Sequence, residues 1–169
     1  KPLNIWNYPG IEAGQSASKR QSTFVLTDLL NLSKTPKDDT ISYSIAKTIV
    51  SEVYKISERR NGAGKPKFQP TLSHFLDLLK SYSWNETERT KANELFLKLN
   101  IYRSDVWLDA PTHPDFDSDS PFDVYELTSL SCLDEPVRES MGYRIAASIM
   151  QEIGEENDSG QKTPILFIC

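Results

Sequence analysis

Four β-branched residues, Ile41, Ile45, Ile49 and Val53, recur every four positions. Ala46 and Ile56 widen the same stripe, so the pattern predicts a helix over 40–59. Asp38, Asp39 and Thr40 stand in front of it as candidate N-caps. An earlier helix is expected over 19–33, with Phe24, Leu29 and Leu30 turned inward, and "KTPKDD" breaks the chain after it. Thr71 caps a third helix that carries Leu72, Phe75, Leu76 and Leu79. Asn85, with Glu88 three positions on, opens a fourth as a capping box. The buried face of that helix would be Ala92, Leu95, Phe96, Leu99 and Tyr102.

The pattern changes after Tyr102. "SDVWLDAPTHPDFDSDSP" is rich in proline and aspartate and reads as loop, whereas "FDVYEL", 122–127, is aromatic and β-branched and reads as a strand. Pro136 sits in the first turn of a helix that "DEP" starts and Gly154 is expected to stop. Its apolar arc is broad, spanning Val137, Met141, Ile145, Ala146, Ile149, Met150 and Ile153, which suggests burial on more than one side. "PILFI" near the end is an unbroken apolar run that suits a strand buried on both faces. Residues 122–168 thus read as strand, helix, strand with parallel strands. The opening, "LNIWNYPGIEAG", reads as an extended lead-in with a Pro-Gly turn. Two strands make a poor sheet alone, and the run ends at Cys169. The expectation is therefore a piece of a larger α/β protein, or one whose sheet is completed by another chain.

Composition narrows the classes. A formal net charge of -5 argues against a generally basic nucleic-acid binder. No apolar run approaches the roughly 20 residues that cross a bilayer, and no leader-like segment opens these residues. Cys132 and Cys169 have neither metal-ligand nor redox spacing, which makes a reducing cytosol the default.

Several motifs carry candidate chemistry. "NGAGKPKF", 61–68, looks like the end of a phosphate loop. A P-loop, G-x-x-x-x-G-K-[ST], would be matched by Gly64 and Lys65, but its leading glycine falls on Arg59 and its hydroxyl on Pro66. Proline offers neither an N–H to phosphate nor a ligand to magnesium, and the preceding residues have helical period. The stretch reads as a helix-to-helix connector. Lys55, Arg59, Arg60, Lys65 and Lys67 make it a basic, solvated loop without a stacking platform beyond Phe68.

"DFDSDSPFDVYE" puts Asp115, Asp117 and Asp119 at positions 1, 3 and 5 of a calcium loop, Asp123 at 9 and Glu126 at 12. Ser120 occupies position 6, where glycine is needed, and Pro121 follows it, so an acidic surface loop is the favoured reading. His74 and His113 lack metal-binding spacing, and no nucleophile elbow supports a Ser-His-Asp site. Arg138 and Arg144 on the last helix suit local salt bridges more than a phosphate in a neighbouring subunit.

Five segments, "LNIWNYPG", "PTLSHFLDLL", "WLDAPTHPDFDSDSPFDVYEL", "EPVRESMGYRIAASIMQEIG" and "PILFIC", together resemble the conjugative-transfer, TraC-like motor ATPases of type IV secretion systems. The resemblance covers most of the chain in order and rests on context segments, with no catalytic signature among them. It implies an α/β fold: a helical insertion subdomain followed by a strand-helix-strand piece of a RecA-like P-loop ATPase parallel sheet. Residues 1–14 would be the lead-in, 15–105 the insertion and 106–169 the partial core. The Walker A loop would precede Lys1, and the Walker B acids would follow Cys169. ATP and magnesium are thus implied for the whole motor, with no catalytic, nucleotide or metal residue inside 1–169. Its partners would be other subunits, inner-membrane secretion proteins and DNA, at the cytoplasmic side of the inner membrane. A helical adaptor without catalysis is the other reading.

Overall fold

The computed structural model describes residues 3–6, 19–61, 68–112 and 128–159. Among the described residues five α-helices follow one another: α1 (Lys19–Leu32), α2 (Thr40–Asn61), α3 (Leu72–Ser81), α4 (Glu86–Asn100) and α5 (Glu135–Ser159). A short 3-10 turn, Thr128–Cys132, precedes α5. The helices form one bundle in which α2 packs on α1, α3 and α4, while α5 lies along α1.

α2, α3 and α4 start where local chemistry puts them. Asp39 caps α2: its carboxylate accepts from the backbone N–H of Ser42 at 3.0 Å and from the Ser42 hydroxyl at 3.0 Å. Asn85 and Glu88 close the expected capping box on α4, with the Glu88 N–H donating to Asn85 Oδ1 at 2.9 Å. The stripe of α2 is buried at Ile45, Ala46, Ile49 and Val53, and meets Leu72, Phe75, Leu76 and Leu79 of α3 and Ala92, Leu95 and Leu99 of α4 in one apolar core. Ile41 departs from the expected stripe. It lies in the first turn and is exposed.

The expected α/β class is corrected. Among the described residues there is no strand and no sheet; the architecture is helical. The breadth of apolar cover on α5 had suggested burial on more than one side, and the flanking runs at 122–127 and 164–168 had suggested the strands. Instead α1 covers one face, burying Val137, Met141 and Ala147, while Ala146 and Met150 point to solvent. A helix covered by its own bundle needs no parallel strands beside it. The two segments read as strands, 122–127 and 164–168, lie outside the described residues. Gly154 does not stop α5, which continues to Ser159. An interior glycine costs about 1 kcal/mol of helix propensity but does not force a stop, and Glu155 and Glu156 can propagate the helix.

The lead-in differs as well. Ile5 and Trp6 lie in a turn, and residues 3–6 are all buried, with the Trp6 ring between Tyr54 and Phe75 at centroid distances of 5.8 and 6.1 Å. No helix among the described residues is long and apolar enough to cross a membrane.

Candidate functional site

Two opposite charges sit on inward-facing stripes. Asp28 falls in line with Val25 and Leu32 on α1, and Arg144 in line with Met141 and Ser148 on α5. Both are fully buried, at 0% and 1% exposure. Buried charges are sustained only when paired and hydrogen-bonded, and here they are paired with each other. Arg144 Nε and Nη2 each lie 3.0 Å from Asp28 Oδ2. The Ser140 hydroxyl donates to Asp28 Oδ1 at 2.7 Å. The remaining Arg144 nitrogen, Nη1, points away from Asp28 and donates to the carbonyls of Leu3, Leu108 and Trp107 at 3.1, 3.3 and 3.4 Å. One guanidinium thus ties α1, α5, the lead-in and the turn after α4 together.

Asn4 extends this hub. Its side-chain amide donates to the Pro70 carbonyl at 2.7 Å, and its backbone N–H donates to the Thr112 hydroxyl at 3.0 Å. Its Oδ1 accepts from the N–H of Trp6 at 3.1 Å, closing the turn.

A second polar cluster braces the start of α3. Asp109 accepts from the N–H of Ser73 at 2.7 Å, from the Ser73 hydroxyl, and from the N–H of Ser104 at 2.8 Å. Ser104 is in the left-handed region, with φ of 64°. Burial pushes the Asp109 carboxyl up, but the hydrogen bonds from Ser73, Ser104 and Thr71 outweigh it and hold it below the ordinary 3.8. A carboxylate at a helix N-terminus also matches the helix dipole.

His74 is the third residue of α3, and its Nδ1 accepts from the N–H of Thr71 at 3.1 Å. Ser73, His74 and Asp109 are close together, yet they are not a catalytic triad. The Ser73 hydroxyl bonds the carboxylate directly, and the imidazole faces Thr71 rather than the serine. These groups brace the helix.

The other candidates fare differently. Lys55 pairs with Glu52 at 2.6 Å, Arg59 is exposed, and Arg60 lies 4.5 Å above the Phe68 ring. Arg138 is exposed at the start of α5 and Cys132 is an exposed thiol. Residues 62–67, His113 and the acidic loop at 115–126 lie outside the described residues. Among the described residues no three His, Cys, Asp or Glu side chains are placed to hold a metal ion. The partial P-loop match at Gly64 and Lys65 lacks the context that motif needs. The chain ahead of the glycines is helical through Asn61, where a P-loop needs a strand.

Sequence reasoning missed Asp28 altogether and expected a local partner for Arg144. The signal was available: a lone charge on the inner stripe of each of two helices demands an opposite charge, and these two answer each other across 116 positions.

Compared with known protein families, curated proteins and solved structures, the chain matches none.

Proposed function

We propose that the chain is a non-catalytic helical part of an oligomeric ATPase that energises conjugative DNA transfer or type IV secretion. One observation carries the reading. The described parts of four resemblance-bearing segments are distant in sequence, yet they bond to one another. Arg144 of "EPVRESMGYRIAA" holds Leu3 of "LNIW" and the carbonyls of Trp107 and Leu108 in "WLDAPT". Asn4 holds Pro70 of "PTLSHF" and Thr112. The segments that carry the resemblance therefore belong to one packed unit, as the reading requires. On this reading the nucleotide and magnesium are bound outside residues 1–169, and the bundle faces neighbouring subunits or secretion proteins at the inner membrane.

Isothermal titration with Mg-ATP tests it. No heat of binding is expected from this chain, and micromolar affinity would overturn the assignment. The gene offers a second check: a G-x-x-x-x-G-K-[ST] motif upstream and an Asp-Glu pair directly after Cys169 are expected, and a stop codon there would sink the reading.

Leu97, Ile101 and Val106 favour the other reading, a helical adaptor without catalysis. They are 67%, 73% and 69% exposed near the end of α4, and apolar side chains left in water are what a partner's surface would cover. A gene ending at Cys169, with a stable monomeric product, would decide for it.

A further inference from the structure

α3 and α4 are closed by the same device built from different chemistry. In both, the side chain of the third helical residue reaches back to the backbone N–H of the cap residue. At α4 that side chain is Glu88. At α3 it is His74, the one type of side chain that ordinarily changes charge near neutral pH.

We propose that His74 is a proton-operated latch between α2 and α3: neutral, it closes the first turn of α3; protonated, it releases that turn. The geometry supplies both halves. Nδ1 serves as acceptor for the Thr71 N–H, and an imidazolium, with hydrogen on both nitrogens, accepts nothing. The ring also ends a row that begins on α2. Arg60 lies 4.5 Å above Phe68, and Phe68 meets His74 edge-on at 4.6 Å and 86°. The Phe68 carbonyl is held by the Ser57 hydroxyl of α2 at 3.4 Å. A positive charge on His74 therefore takes the acceptor away from the Thr71 N–H, leaves Nδ1–H only the Thr71 hydroxyl to bond, and faces Arg60 through one aromatic ring.

The charged groups around the imidazole are Arg60 from α2, Asp109 from the turn after α4, and Asp77 on α3 itself. Burial and Arg60 disfavour the imidazolium, the two carboxylates favour it, and the balance lies below the ordinary 6.5. The closed state thus binds the proton more weakly than the open one. The latch is fully shut above about pH 6.5 and loosens progressively as pH falls toward the lowered value. This inference does not depend on the motor reading.

Amide hydrogen exchange at pH 7.5 and pH 5.5, corrected for intrinsic rates, tests it. Protection at Thr71 is expected to fall about fivefold, the scale of losing one N-cap interaction. The Asn85 amide, capped by Glu88, serves as the internal control and should hold. His74→Gln keeps a reach-back acceptor at the third position, so it should fold as before and lose the pH response. Unchanged protection at Thr71 in the native chain, or an undiminished fall in H74Q, would overturn the latch.

Discussion

The interior between α2, α3 and α4 and the hub around Arg144 hold the same bundle by different physics. The first is an apolar face in which Ile49, Phe75, Leu76 and Leu99 are fully buried. Hydrophobic burial is non-directional, so such a face accepts volume-conserving change. The second joins helices 116 residues apart through a guanidinium whose donors each have a fixed target. A planar fork of this kind tolerates no substitute. The contrast divides the labour of folding: patterning assembles the bundle, and hydrogen bonds settle where α5 and the lead-in sit on it.

The largest effect is expected at the hub. Arg144→Met leaves Asp28 buried without its partner and should cost about 3–5 kcal/mol in urea denaturation. That is a large share of the ~5–15 kcal/mol that holds an ordinary domain together. Adding Asp28→Leu removes the stranded charge and should recover part of the loss. Recovery should be incomplete, because the Leu3, Trp107 and Leu108 carbonyls still lack their donor. A double variant no more stable than the single one would mean that the ion pair is not what distinguishes this region.

The apolar side should lose somewhat less and respond to shape instead of charge. Leu76→Ala should cost about 2–5 kcal/mol, set by the cavity left behind, whereas Leu76→Met should cost under about 1.5 kcal/mol. At the hub the corresponding conservative change, Arg144→Lys, should be nearly as damaging as methionine, since an ammonium cannot serve Asp28 and three carbonyls at once. Similar tolerance at both positions would erase the contrast.

The same division explains what was legible in the sequence. The stripes of α2 and α3 and the Asn85–Glu88 box follow from spacing alone, and all three are present apart from Ile41, the exposed start of the α2 stripe. The partner of Arg144 was not readable from spacing, because a charge on an inner stripe announces a need without naming its supplier. The α/β expectation rested on the apolar runs at 122–127 and 164–168, which lie outside the described residues, whereas the helix between them packs on α1 in a helical bundle. Asp109 was passed over because it lies in a loop and its work, capping α3 from 36 residues away, leaves no local pattern.

Asp109 lies between the two extremes, a directional contact at the edge of the apolar side. Asp109→Asn should cost about 1–2 kcal/mol at pH 7, because the amide replaces an acceptor-only carboxylate that takes bonds from Ser73 and Ser104. Its lowered pKa gives the effect a pH signature. The folded carboxylate binds its proton more weakly than the unfolded one, so its contribution is full above about pH 4 and lost as pH falls below that. Thermal midpoints of the native chain and the variant should therefore converge on acidification, and a gap that stays constant down to pH 2 would argue against the carboxylate as the source.

The smallest effect is expected where neither kind of contact exists. Leu97, on the outer side of α4, and Ile101, at its C-cap, are two-thirds or more exposed. Their side chains are in water in both the folded and the unfolded chain, so little burial is there to lose. Leu97→Ser and Ile101→Ser should each shift stability by no more than about 0.5 kcal/mol. Measurement at two protein concentrations makes the point sharper, since any partner copy covering this face would link stability to concentration. A concentration-dependent midpoint that disappears in the Ile101→Ser variant would place these residues in a third category: apolar, and buried only on assembly.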